Sequence, residues 1–220
     1  MSDEKTEVQK FESAETGFAF SSARSFASAQ RMALALSSSS IVPKEYQGKD
    51  NLGNCIVALE MAQRLGISPM MVMQNLYVIQ GRPSWSSQFI ISAINSCGKF
   101  SPLRFEWSGT EGKDDWGCRA IATEIATGEE LRSSKITIQM AKDEGWFGKA
   151  GSKWKTMPEQ MLMYRSSAFF GRIYAPEIMN GMQTEHEVND VNGKMESGFD
   201  NLNKSITVED IPAEVVTNNE

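Results

Sequence analysis

KDEGWFGKAGSKWKTMPEQMLMYRSSAFFGRIYAP, residues 142–176, carries the clearest helical pattern of the chain and a local excess of positive charge. Thr156 followed three residues on by Glu159 spells a capping box, Pro158 falls in the first turn where its missing N–H is harmless, and Pro176 halts the helix near Ala175. Arg165 and Arg172 are seven apart, nearly two turns, so both guanidinium groups project from one side while Leu162, Phe169 and Ile173 can face a core. A helix of this kind needs a covering layer, and the residues before it supply one. Segments 103–107, 119–125 and 131–136 have strand character, with Thr127 and Gly128 as the turn between the last two.

Further upstream, 76–79 reads as a strand, 80–83 as a turn, and Ser84 as the cap of a helix running to about Asn95 and closed by Gly98. Leu52, Ile56, Leu59 and Ala62 mark an amphipathic helix that Gly66 stops, and Ser68 with Pro69 opens a short one. Between residues 21 and 36, Phe26, Ala29, Ala33 and Leu36 recur at helical spacing, a stripe for the domain core or a neighbouring subunit. These elements make an α+β fold, a small antiparallel sheet with packed helices in a single domain over residues 20–182. Residues 1–19 are expected to be a flexible N-terminus, and 183–220 an acidic, disordered tail. The tail is either solubilising, a docking segment for a partner, or a competitor for the basic groove.

Charge is unevenly placed. The formal net charge is −6, yet residues 131–175 hold eight Lys or Arg against three Asp or Glu, whereas 176–220 hold two against ten. Lys149, Lys153 and Lys155 are interleaved with Trp146, Phe147 and Trp154. Cations neutralise phosphates and aromatic faces stack on bases irrespective of sequence, so the segment suits single-stranded nucleic acid. The alternatives are a solvated face whose aromatics anchor a loop to the core, and arginines bridging to carboxylates of the domain. Trp154, close to the helix start, is expected to be scaffold, and Trp146 to be the more exposed of the two.

Other chemistries find little support. Cys55, Cys97 and Cys118 are widely spaced with no CxxC pair, which suggests reduced thiols. The single histidine, His186, cannot build a His-based triad or a multi-histidine metal site within the chain. No GxxxxGK[ST] stretch exists to cradle nucleotide phosphates. No apolar run is long enough to cross a membrane and the N-terminus is polar, so a cytoplasmic protein is expected. Asp114, Asp115, Glu124, Glu129 and Glu130, with Lys135, offer oxygen ligands for Mg²⁺ to an alternative, a metal-dependent DNA nuclease. A second alternative is a phage structural or adaptor protein that binds no DNA.

In order along the chain, Ser40-Ile41-Val42-Pro43 with Tyr46, Arg64-Leu65-Gly66, Ile67-Ser68-Pro69, and Gly81-Arg82-Pro83-Ser84 precede the run Trp154, Pro158, Met161, Leu162, Arg165 and Arg172. This succession resembles the RecT and phage lambda Beta family of single-strand annealing proteins. The resemblance implies ATP-independent binding and annealing of single-stranded DNA in phage-type recombination, without covalent catalysis and without a required cofactor, Mg²⁺ being at most a modulator. It implies a homo-oligomeric ring or filament, and a partner exonuclease or host single-strand-binding protein. Arg165 and Arg172 would touch DNA, with Trp154, Pro158, Met161 and Leu162 as scaffold. Lys149, Lys153 and Lys155 join them on local charge. Glu159 and Gln160 stand where the lambda-type sequence is basic. Linked sites in a filament would offset that loss, since avidity exceeds single-site affinity by about 10² to 10⁴.

Overall fold

The computed structural model of the protein describes residues 19–79 and 81–195. It is α+β, and the chain divides into two compact units, one ending at Leu76 and one beginning at Tyr77. The expected flexible N-terminus, residues 1–19, lies almost wholly outside the described residues.

In the first unit, α1 (Ala23–Ser37) starts at a capping box in which Ser22 accepts from the Ser25 amide and Ser25 accepts from the Ser22 amide. Its buried residues are small, Ala29 and Ala33, and it packs on α2 (Leu52–Leu65), whose Ala58 and Ala62 are likewise buried, so the two backbones approach closely. Gly66, at φ 65°, ends α2 in the left-handed conformation that suits glycine, and Pro69 opens α3 (Pro69–Asn75). These boundaries follow the sequence reading. Glu60 is buried but answered: it accepts from the Ala19 amide at 2.8 Å and from Arg64 Nε at 3.1 Å. Burial pushes the Tyr46 hydroxyl up to about 12, and that hydroxyl donates to the Leu76 carbonyl.

The second unit is built on a central antiparallel sheet. β3 (Arg104–Ser108) pairs with β4 (Gly117–Thr123), and β4 pairs with both β5 (Glu130–Arg132) and β6 (Ile136–Thr137). Alternation along β4 turns Cys118, Ala120 and Ala122 inward, small enough to let α7 (Pro158–Tyr174) lie close on the sheet, with α4 (Ser87–Ser96) on the other side of α7. The segment expected as one strand over 131–136 is two. Between the pairs Ile121–Arg132 and Cys118–Ile136, Arg119 and Ala120 face three residues, Ser133, Ser134 and Lys135. Ser133 Oγ takes the Ala120 amide at 2.9 Å while the Ser133 amide donates to the Ala120 carbonyl at 2.8 Å, so a side chain stands in for one ladder acceptor at this bulge.

A second sheet, absent from the sequence reading, has the order β1 (Leu76–Ile79), β2 (Arg82–Trp85), β7 (Gln183–Thr184). β2 and β7 run parallel, Ser84 opposite Gln183. Ser84 is therefore a strand residue, and the cap of α4 is Ser86, whose hydroxyl accepts from the Phe89 amide at 3.0 Å. The expectation that Ser84 caps this helix is corrected: pairing with β7 keeps residues 82–85 extended. Pro176 stops α7 as expected and opens the short α8 (Pro176–Met179). The expected disordered tail is also corrected at its start, because α9 (Glu185–Met195) follows β7; residues 196–220 lie outside the described residues.

Candidate nucleic-acid interface

Thr137 caps α5 (Ile138–Asp143), and the chain then turns through the lysine segment into α6 (Lys153–Thr156). Ser152 fixes that segment: its hydroxyl donates to the Trp146 carbonyl at 2.7 Å and accepts from the Trp154 amide at 3.3 Å. The helix preceding α7 explains why the expected capping box fails. Thr156 is the last residue of α6, and α7 begins at Pro158 with no side-chain cap.

Trp154 is fully buried, with Met161 and Leu162 in the same core cluster as Trp146, Cys118 and Ile136. Pro158 is half-buried at the first turn of α7. Trp146 departs from expectation. It is 7% exposed rather than open, its ring centroid 5.5 Å from that of Trp154. The reason lies above it: the Arg165 guanidinium carbon sits 3.8 Å over the Trp146 centroid and 5.9 Å from that of Trp154, in cation–π contact.

Arg165 itself is 4% exposed, which corrects the expectation of an open basic stripe. It pairs with Asp190 through Nη2, while Glu187 Oε1 lies 3.8 Å from Nη1. The same Glu187 oxygen accepts from Arg172 Nη2 at 2.5 Å. The two arginines thus do project from one side of α7, but α9 covers Arg165, whereas Arg172 keeps 41% of its side chain exposed while paired with Glu187. Burial pulls the Arg165 guanidinium below its ordinary value despite Glu187 and Asp190, and burial likewise raises the Asp190 carboxyl despite the Trp154 N–H, Arg165 and Lys149. Of the expected core-facing residues, Leu162 is buried and Phe169 half-buried, but Ile173 is 57% exposed; Phe170 takes the inward position.

The lysines divide. Lys149 Nζ donates to the carbonyls of Asn189, at 2.9 Å, and of Asp190. Lys153 and Lys155 are exposed, and Lys155 Nζ lies 3.5 Å from the Gly148 carbonyl. Between this loop and α9 opens a cavity of about 390 Å³ lined by Lys149, Ser152, Lys153, His186, Asn189 and Asp190. One wall carries the cations Lys149 and Lys153, and the other His186, Asn189 and the Asp190 carboxyl, with Lys149 bonded across to the α9 carbonyls.

Glu187 and Asp190 were outside the candidate site by sequence, although a signal existed. Thr184 and Glu187 stand in capping-box spacing, and Glu187 Oε2 does accept from the Thr184 amide at 2.9 Å. The acidic composition of the segment obscured this start of α9. For the nuclease alternative, no three His, Cys, Asp or Glu side chains gather as metal ligands among the described residues. Asp114 pairs with Lys142 at 2.5 Å, Glu130 with Arg132 at 2.6 Å, and Glu124 accepts from Thr127 at 2.7 Å. No single helix among the described residues is long and apolar enough to cross a membrane. No protein-family model, curated protein or solved structure matches the chain.

Proposed function

We propose that the protein binds single-stranded DNA without sequence preference and anneals complementary strands without nucleotide hydrolysis, acting as a homo-oligomer in the bacterial cytoplasm, with a partner exonuclease or single-strand-binding protein. The observation that carries this reading is the lysine loop, where Lys149 and Lys153 line a cavity and Lys153 and Lys155 are exposed. The order of motifs shared with the RecT and lambda Beta family supports it as well.

The chemistry needed is modest. Ammonium groups on a loop neutralise successive phosphates and release their counterions, which gives affinity indifferent to base identity. Bases left unread remain free to pair, and a neutralised backbone repels a second strand less. Watson–Crick pairing then selects the partner strand, and no residue performs covalent catalysis. Mg²⁺ would act only on the screening of the two backbones.

Annealing of two complementary labelled strands by the pure protein tests the reading, with and without ATP and Mg²⁺. Duplex formation faster than the spontaneous rate, equal in the absence of ATP, is the expected result. An absolute requirement for ATP, or shortening of the strands, would overturn it.

A further inference from the structure

α9 meets the arginines of α7 with anionic groups and Lys149 with carbonyls, while its His186 ring stacks on Tyr164 of α7, centroids 5.5 Å apart. Glu187 Oε1 takes Arg172 and faces Arg165; Asp190 Oδ2 takes Arg165 and also accepts from Trp154 Nε1 at 3.0 Å. Lys149 binds the carbonyls of Asn189 and Asp190. These are the partners a phosphate would have: a carboxylate bridging two guanidinium groups, and a second one held by a guanidinium and an indole N–H. Its other holds are at the start of the helix, where Glu185 accepts from the Ser87 amide at 2.8 Å and His186 stacks on Tyr164, with Val188 buried and Val191 half-buried.

Such a joint differs from a hydrophobic seam. Charges removed from water gain little net stability from their mutual attraction, because desolvation offsets it, and burial shifts both Arg165 and Asp190 towards their neutral forms. With α9 lifted, Arg165 over the Trp146–Trp154 pair, Arg172 over Phe169 and Lys149 would all lose their α9 partners at once, leaving cationic groups that an anion can take up. We propose that α9 is an autoinhibitory strap, its Glu187 and Asp190 standing where phosphates of a single strand bind, so that single-stranded DNA engages Arg165 and Arg172 by displacing it. This rests on the reading under Proposed function. Affinity in the strapped protein is the intrinsic affinity reduced by the fraction open. For an open state populated at about 1 to 10%, release would tighten binding roughly 10- to 100-fold.

The test compares the wild-type chain with E187Q/D190N by anisotropy of a labelled oligothymidylate at one salt concentration. Glutamine keeps an acceptor for the Thr184 amide, so the start of α9 retains its cap. A control, E111Q/E129Q, removes the same charge at exposed positions. The expected result is binding tightened roughly 10-fold or more by E187Q/D190N and unchanged by the control. Equal tightening by both pairs reduces the effect to net charge and overturns the strap. So does unchanged or weaker binding by a folded E187Q/D190N, while wild-type binding in the same titration leaves the DNA reading standing. Absence of binding by every form overturns both. A second measurement uses the wild-type chain alone, and decides the matter if E187Q/D190N does not fold. Amide hydrogen exchange in 185–195 should accelerate when oligothymidylate binds, and unaltered or increased protection there with DNA bound overturns the strap.

Discussion

Trp154 is held by three kinds of contact at once. Its ring is fully enclosed, its neighbour Trp146 lies tilted against it, and its indole N–H ends on Asp190. Truncation to Ala should cost about 3 to 5 kcal/mol in chemical denaturation, the range for removing a large aromatic from a core. Trp146→Ala should fall in the same range, because the ring is buried and also carries the Arg165 guanidinium. A Trp146 variant as stable as wild type would show that the ring is not enclosed in solution. The cysteines give an independent check on burial. Cys118 is pushed up to about 11 and Cys55 is also raised, in both by burial, whereas Cys97 is exposed. Since the thiolate is the nucleophile, iodoacetamide at about pH 8 should modify Cys97 alone in the native protein, and all three cysteines only after unfolding. Mass spectrometry of the alkylated protein reads this directly, and rapid native labelling of Cys118 would contradict its enclosure under α7.

At the scale of elements, two glycines separate backbone necessity from side-chain accommodation. A Cβ on Gly117 would lie 2.2 Å from the Ile136 carbonyl oxygen, and a backbone atom cannot move without breaking the pairing of β4 with β6. Gly117→Ala should therefore cost at least the 1 to 3 kcal/mol typical of overpacking, about as much as a buried methylene mismatch can. On Gly171 a Cβ would meet Met179 Sδ at 3.1 Å and Ile94 Cδ1 at 3.3 Å, both ends of flexible side chains. Alanine there also gains about 1 kcal/mol of helix propensity, so the expected change in urea midpoint is small. A Gly171 loss as large as that of Gly117 would mean that α4, α7 and α8 cannot adjust. The contrast bears on what the sequence could reveal. Helix ends set by local chemistry were legible: Gly66 needs a left-handed residue, Pro69 starts a helix because a proline lacks the N–H that a first turn does not use, and Pro176 ends α7. Features decided by distant partners were not. Ser84 reads as a cap until β7, about a hundred residues later, pairs with it. Thr156 failed for a local reason, two overlapping cap signals: Ser152, four residues earlier, starts α6 and leaves Thr156 at its end. The candidate lysines were legible from charge alone, but the burial of Arg165 was not, since it depends on carboxylates 22 and 25 residues further along the chain.

Over the whole molecule, the basic segment and the acidic segment compensate each other in part through space. Arg165 and Arg172 are answered by Glu187 and Asp190, whereas Lys153 and Lys155 are exposed. The eight cations of residues 131–175 therefore overstate the charge available to a nucleic acid. If the proposed function holds, the exposed lysines contribute affinity without contributing stability. K153A/K155A should leave the urea midpoint unchanged, since isolated surface charges contribute within about 0.5 kcal/mol, and should make the slope of log affinity against log salt shallower by about 0.7 for each phosphate no longer neutralised. Arg165→Ala should behave in the opposite way. Removing one member of a buried ion pair strands Asp190 and Glu187 without their cation, a loss of about 3 to 5 kcal/mol while α9 stays docked and less where α9 opens to water, so the stability change should dominate whatever happens to binding. Denaturation and oligonucleotide titration at several salt concentrations, run on the same two variants, separate the roles. A K153A/K155A protein that keeps the full salt slope would remove the lysine loop from the interface, and an Arg165→Ala protein of unchanged stability would show that α9 does not hold the arginine in solution.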